Sequence, residues 1–171
     1  MRFTLELKNP LLGVAVVVCS ASALVAVCFL STFLMWNRTP SMPLGLYRLK
    51  HGAPVSRGTV VAFPIPHPVR KLVLERRYLT GRDSLTKEVA ALPGDEVCTA
   101  GNVLTINGRV FGPVQKSDSM GRPLPTFQFC GSIPEGAFFA ASRHQRSFDS
   151  RVFGLVPLAE VKGTVTALWT Y

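Results

Sequence analysis

The chain has 171 residues, enough for one domain with a real core. Its 19 Lys and Arg against 10 Asp and Glu leave a formal net charge of +9, a balance that suits nucleic acid or anionic lipid. No zinc finger, RNP-like motif or Arg-rich tail accompanies that charge, so nucleic acid is not expected as a partner.

Residues 1–10 form a short tail carrying Arg2, Glu6 and Lys8. Residues 11–36 then run without a formal charge, longer than the ~20 residues that cross a bilayer. Trp36 stands where an interfacial aromatic would, and Arg38 closes the span. A cleaved secretory signal is the alternative, with Ala21 and Ala23 at cleavage-like spacing. The apolar run continues beyond them through Cys28-Phe29-Leu30, which favours a retained anchor. A buried core helix is a third reading. With an anchor, residues 37–171 form the outer domain and anionic lipid is the natural neighbour of the charge.

The stretch "TPSMPLGLYRL" (Thr39–Leu49) follows closely, and its prolines keep it out of helix. Ser41 lies five positions beyond Trp36, an extended reach of at most ~17 Å. Beyond it the chain reads as short strands. "GTVVAF" (Gly58–Phe63) is a buried run. "NVLTINGRVF" (Asn102–Phe111) is a hairpin about Asn107-Gly108, a dipeptide suited to a primed turn. "GAFFAAS" (Gly136–Ser142) and "VKGTVTALW" (Val161–Trp169) are further strands. Between Pro68 and Gly81, Val69, Leu72, Val73 and Leu79 follow helical spacing. Arg70, Lys71, Arg76, Arg77 and Arg82 occupy its other face, either solvated or near headgroups. The expected fold is mainly β: a partly closed antiparallel domain after one anchor helix.

Four cysteines are present. Cys19 and Cys28 lie in the apolar span and read as packing residues. Cys98 and Cys130 are either a disulfide, if the domain sits in an oxidising compartment, or two buried thiols.

Metal chemistry finds no support. His51, His67 and His144 are scattered, and no Cys-x-x-Cys or His-x-x-x-His pair exists. No phosphate-binding Gly-rich loop appears. A triad of Ser41, His144 and Asp149 has no distinguishing spacing. Serine–lysine chemistry remains. A serine nucleophile needs a base, and an ordinary lysine, with a pKa near ~10.4, is neutral about once in a few thousand at pH 7. Burial can lower that pKa by up to ~3–5 units. Lys87, in the apolar run "LTKEVAALPGD", is a candidate, though a strand lysine can equally point to solvent. Ser84-Leu85-Thr86-Lys87 matches the Ser-x-x-Lys of β-lactamases, but "SDS" and "KGT" depart from the companion motifs. Ser119-Met120 is a second Ser-Met pair without the Pro-Leu-Gly continuation.

"SMPLGLYR", "LTKEVAALPGD" and "RSFDSRVFGLV", in this order after an anchor, resemble the type I signal peptidase family from the anchor to near the C-terminus. Pro43-Leu44-Gly45 in place of the housekeeping Ser-Met-x-Pro-Thr resembles the TraF-type conjugative-transfer branch. That resemblance implies Ser41 as nucleophile, Lys87 as general base and Asp149 as a supporting or catalytic carboxylate. Ser147 would orient the lysine. Arg151 would pair with Asp149 or Asp95. The Ser41 backbone N–H and the Thr39 hydroxyl would hold the oxyanion. Met42, Pro43 and Leu44 would line a substrate groove or merely pack at a sheet edge. "ASRHQR" replaces the usual Gly-Asp-Asn-Arg opening of the last box. The resemblance also implies a cofactor-free endopeptidase of the bacterial inner membrane with its domain in the periplasm. Its substrate would be a membrane-bound pilin precursor, whose ends can be joined after cleavage. General removal of secretory signal peptides is the alternative substrate reading, and a non-catalytic assembly scaffold the alternative of another class.

Overall fold

A computed structural model describes residues 10–31, 33–38, 42–79 and 84–171. Helix α1 (Pro10–Ser31) comes first and contains no charged residue. Its 22 residues span about 33 Å at ~1.5 Å each. Residues Leu11–Cys28 have a mean hydropathy of 2.6 and are not buried against the rest of the chain, so α1 is long and apolar enough to cross a membrane. Cys19 and Cys28 are exposed on α1. The last part of the charge-free stretch is not helical: Leu34–Asn37 is strand β1.

Ten further strands follow: β2 (Gly45–Lys50), β3 (Val60–Pro64), β4 (Ser84–Ala91), β5 (Glu96–Cys98), β6 (Val103–Ile106), β7 (Arg109–Pro113), β8 (Cys130–Ser132), β9 (Ala137–Ala140), β10 (Val156–Pro157) and β11 (Gly163–Thr170). Two short helices interrupt them, α2 (His67–Glu75) and α3 (Ser150–Phe153). The strands form a seven-stranded sheet, β1-β2-β11-β3-β4-β9-β10, and a four-stranded sheet, β7-β6-β5-β8. All the strand pairings are antiparallel. Both sheets are open, so the partial closure expected from sequence does not form. At one end of the large sheet, β10 is two residues long and includes Pro157, which lacks the N–H that continued pairing would need.

The alternation of strand side chains splits the core into separate clusters. Val61, Phe63, Leu85, Val89, Phe138 and Ala140 point one way and meet Val69 and Val73 of α2 and Val152 and Phe153 of α3. Phe139, Ala91, Val97 and Leu104 belong to a second cluster joining the two sheets. Phe138 and Phe139 thus face opposite ways, as strand neighbours must.

The Asn107-Gly108 hairpin turns with φ of 50° and 73°, the left-handed pair a primed turn requires. Helix α2 is shorter than its apolar spacing suggests. Arg77 has φ 55°, and the Arg77 and Tyr78 N–H groups bond back to the Leu74 and Val73 carbonyls. This is a Schellman stop with arginine where glycine is usual. Leu79 therefore packs on the core from beyond the helix. Arg70, Lys71 and Arg77 are exposed, whereas Arg76 turns to Asp118 at 3.4 Å. Arg82 lies outside the described residues.

Candidate active site

Strand β4 carries Lys87 on the same face as Leu85 and Val89, between two core residues. That face points inward, so Lys87 is only 5% exposed. Its Nζ donates to Ser147 Oγ at 3.1 Å. Burial drives the Lys87 pKa down to about 8, against the pull of the Asp149 carboxylate and with help from the Arg151 charge. Roughly a tenth of such a lysine is neutral at pH 7, against a few in ten thousand for an ordinary one.

Asp149 is fully buried and caps α3, accepting the Arg151 N–H at 3.2 Å. Arg151 returns a two-pronged contact, Nε to Oδ1 at 2.8 Å and Nη2 to Oδ2 at 2.6 Å. The Ser142 N–H supplies another donor to Oδ2 at 3.2 Å. Arg151 also donates to the carbonyls of Pro113, Ser142 and His144. It therefore joins the end of β7 to the segment that returns towards Ser147. Such a fork–fork pair fixes geometry as well as charge. Asp95 is engaged elsewhere, by Arg57, by the Leu92 N–H at 2.8 Å and by Asn107 Nδ2 at 2.9 Å. Arg151 thus takes Asp149 as its carboxylate.

Ser41 and Thr39 lie outside the described residues. The residues that follow Ser41 are held by packing and hydrogen bonds. Met42 packs against Tyr47, Ala62 and Val165. Asn37 Nδ2 donates to the Met42 carbonyl at 3.2 Å and to the Pro43 carbonyl at 2.9 Å. The Tyr47 hydroxyl donates to the same Pro43 oxygen at 2.7 Å. Pro43 is exposed and Leu44 half-buried. Sequence reasoning missed Asn37 and Tyr47. Tyr47 stood within the quoted motif, but no spacing signal marked either as a donor to this backbone.

Other candidates separate. Ser84 and Lys87 are three apart on a strand and so face opposite sides; Ser84 Oγ accepts from Lys162 Nζ at 2.9 Å instead. The imidazole of a triad needs the Asp149 carboxylate, but both its oxygens are taken and His144 is exposed. Ser119-Met120 lies in a loop organised by Asp118. Burial alone would raise the Asp118 carboxyl, but Tyr78 and Arg122 and the Met120 N–H hold it well below the usual range. Cys98 and Cys130 are joined by a disulfide between β5 and β8, where they stand directly opposite. No cluster of metal-binding side chains occurs among the described residues.

The sequence profile described as "Signal peptidase, peptidase S26" matches residues 8–170. A conjugal transfer protein TraF of Agrobacterium fabrum is 34% identical over 148 residues, covering 79% of this chain and 81% of that one. A plasmid transfer protein TraF of Escherichia coli is 32% identical over 147 residues, covering 79% and 82%. The crystal structure of a signal peptidase I from Enterococcus faecalis is similar at 25% identity and a TM-score of 0.40, over 68% of this chain and all of that one.

Proposed function

The chain belongs to the S26 signal peptidase family, and on that premise we propose that it is a membrane-anchored serine endopeptidase with a Ser41–Lys87 dyad. The observation that carries this reading is the buried Lys87, with its pKa near 8 and its Nζ on Ser147. An apolar, single-partner environment is what a lysine needs to act as a base.

Neutral Lys87 takes the proton of Ser41 Oγ as that oxygen attacks the scissile carbonyl. The Ser41 N–H and the Thr39 hydroxyl hold the developing oxyanion, each worth about 10²–10³ in rate. The C–N bond breaks, Lys87 returns the proton to the leaving amine, and an acyl ester remains on Ser41. Water, deprotonated by Lys87, releases the acid. If the attacking group is the substrate's own amine, the product is a ring. Ser147 orients Lys87, and the Asp149–Arg151 pair fixes the segment that carries Ser147. The β4 edge opposite β3 pairs with no strand from Ser84 to Lys87 among the described residues. An extended substrate can add there as a strand.

The relatives named for conjugal and plasmid transfer support a substrate within a transfer apparatus, which we read as a pilin precursor. The bilayer is the second partner, through α1 and through the exposed Trp36, Trp169 and Tyr171 close to its C-terminal end, in the interfacial manner of such aromatics. A domain in the periplasm is the reading that the Cys98–Cys130 disulfide supports, since such a bond would persist there.

Membranes holding the full chain should process a candidate pilin precursor, whereas those with Ser41→Ala should not. Mass spectrometry of the product separates a linear chain from one lighter by a water. Processing of ordinary secretory precursors, with the pilin precursor untouched, would favour general signal removal. No processing of either would favour a scaffold.

A further inference from the structure

Ser41 belongs by sequence to the connection between β1 and β2. The register of those strands pairs Asn37 with Gly45, and residues 42–44 lead into β2. This C-terminal half of the loop is held far more heavily than a hairpin connection needs. Three successive carbonyls, those of Met42, Pro43 and Leu44, each receive a donor. Asn37 Nδ2 serves the first two, and the Tyr47 hydroxyl adds a second bond to Pro43. The Tyr171 N–H takes Leu44 at 3.0 Å. Tyr47 is itself 4% exposed and fixed by packing. Gly45 completes the support, because a Cβ there would overlap the Trp169 carbonyl.

The two side-chain donors come from the strands on either side of the loop. They converge on the Met42–Pro43 and Pro43–Leu44 peptide groups, which begin one residue after Ser41. Met42 is half-buried and packs against the Tyr47, Ala62 and Val165 cluster, and its carbonyl is one of those held. Exposed loops are otherwise mobile, and a nucleophile must be held to within about 0.5 Å.

We propose that Asn37 and Tyr47 are positioning residues for the Ser41 nucleophile, acting through the Met42–Pro43 backbone. The inference rests on the Ser41–Lys87 reading. Its effect falls on kcat: displacing a nucleophile by about 1 Å can cost ~10²-fold, without touching the substrate's own binding contacts. It leaves Lys87 alone, since neither residue contacts that side chain in the bonding described.

The test uses the full chain in detergent micelles, with a peptide spanning the cleavage site of a pilin precursor. Tyr47→Phe removes one oxygen, Asn37→Leu removes the amide at similar volume, and the double variant removes both. The expected result is a loss of about tenfold in kcat for each and about 10²-fold for the pair. KM should stay within about twofold and the pH midpoint of kcat/KM should not move. A double variant that folds with kcat within about twofold of wild type overturns the proposal. So does a loss carried by KM or by a shifted pH midpoint, which would mean a disturbed groove or lysine. Should the double variant not fold, Tyr47→Phe alone decides by the same readouts. Ser41→Ala runs beside them: if it still cleaves, the dyad fails; if only the dyad variants are dead, the brace alone has failed.

Discussion

A buried lysine is a cost that the folded state carries for chemistry. The Lys87 pKa falls from its ordinary value to about 8 on folding. The unfolded chain therefore binds more protons than the folded one between about pH 8 and 10.5. Stability rises with pH across that window, and the penalty is fully present below it. Replacing the ammonium with an apolar side chain removes the penalty. Lys87→Met should be about 3 kcal/mol more stable than wild type at pH 7, and the difference should close as the pH approaches 10.5. Urea unfolding at several pH values measures this; a variant less stable than wild type at pH 7 contradicts it. Asp149 predicts the opposite sign. Asp149→Asn leaves the Arg151 charge buried without its carboxylate, a loss of about 3–5 kcal/mol that would show as a lowered unfolding midpoint.

Several elements were legible in the sequence because their signals are local. The Asn107-Gly108 hairpin announces its own φ values, and the Lys87 run is apolar on the alternate positions that strand β4 buries. Other elements carry no local signal. Helix α3 is four residues long, too short for any periodicity, and exists because Asp149 caps it and Arg151 ties it down. Strand β1 was hidden inside the apolar run, since a strand leaving an anchor is as apolar as the anchor. The donors to Pro43 were invisible because they depend on hairpin register. Helix α2 overran its true end in the sequence reading because Arg77 gives no warning of a left-handed stop. That stop predicts a gain: Arg77 is exposed and in the conformation glycine prefers. Arg77→Gly should stabilise by about 0.5–1 kcal/mol, read from the denaturation midpoint. An unchanged or lower midpoint would contradict it.

Across the described residues, an apolar helix, two open sheets and the buried Lys87–Ser147–Asp149–Arg151 group divide the work. The large sheet carries both strands of the proposed site, β2 after the nucleophile box and β4 with the base, and β11 and β3 lie between them. The small sheet is closed off by the disulfide, whose cysteines are 32 positions apart. Its reduction should lower stability by about 3–4 kcal/mol on loop-entropy grounds, seen as an earlier unfolding transition in the presence of a reductant. An unshifted transition would place the stability of the domain elsewhere. The central claim is that Lys87 is the base that activates Ser41. Its most direct measurement is the pH dependence of kcat/KM on a cleavage-site peptide between pH 6 and 10. The rate should rise about tenfold per pH unit at first and level off near pH 8, as Lys87 loses its proton. A flat profile, or a midpoint near ~6.5 where a histidine titrates, would contradict it.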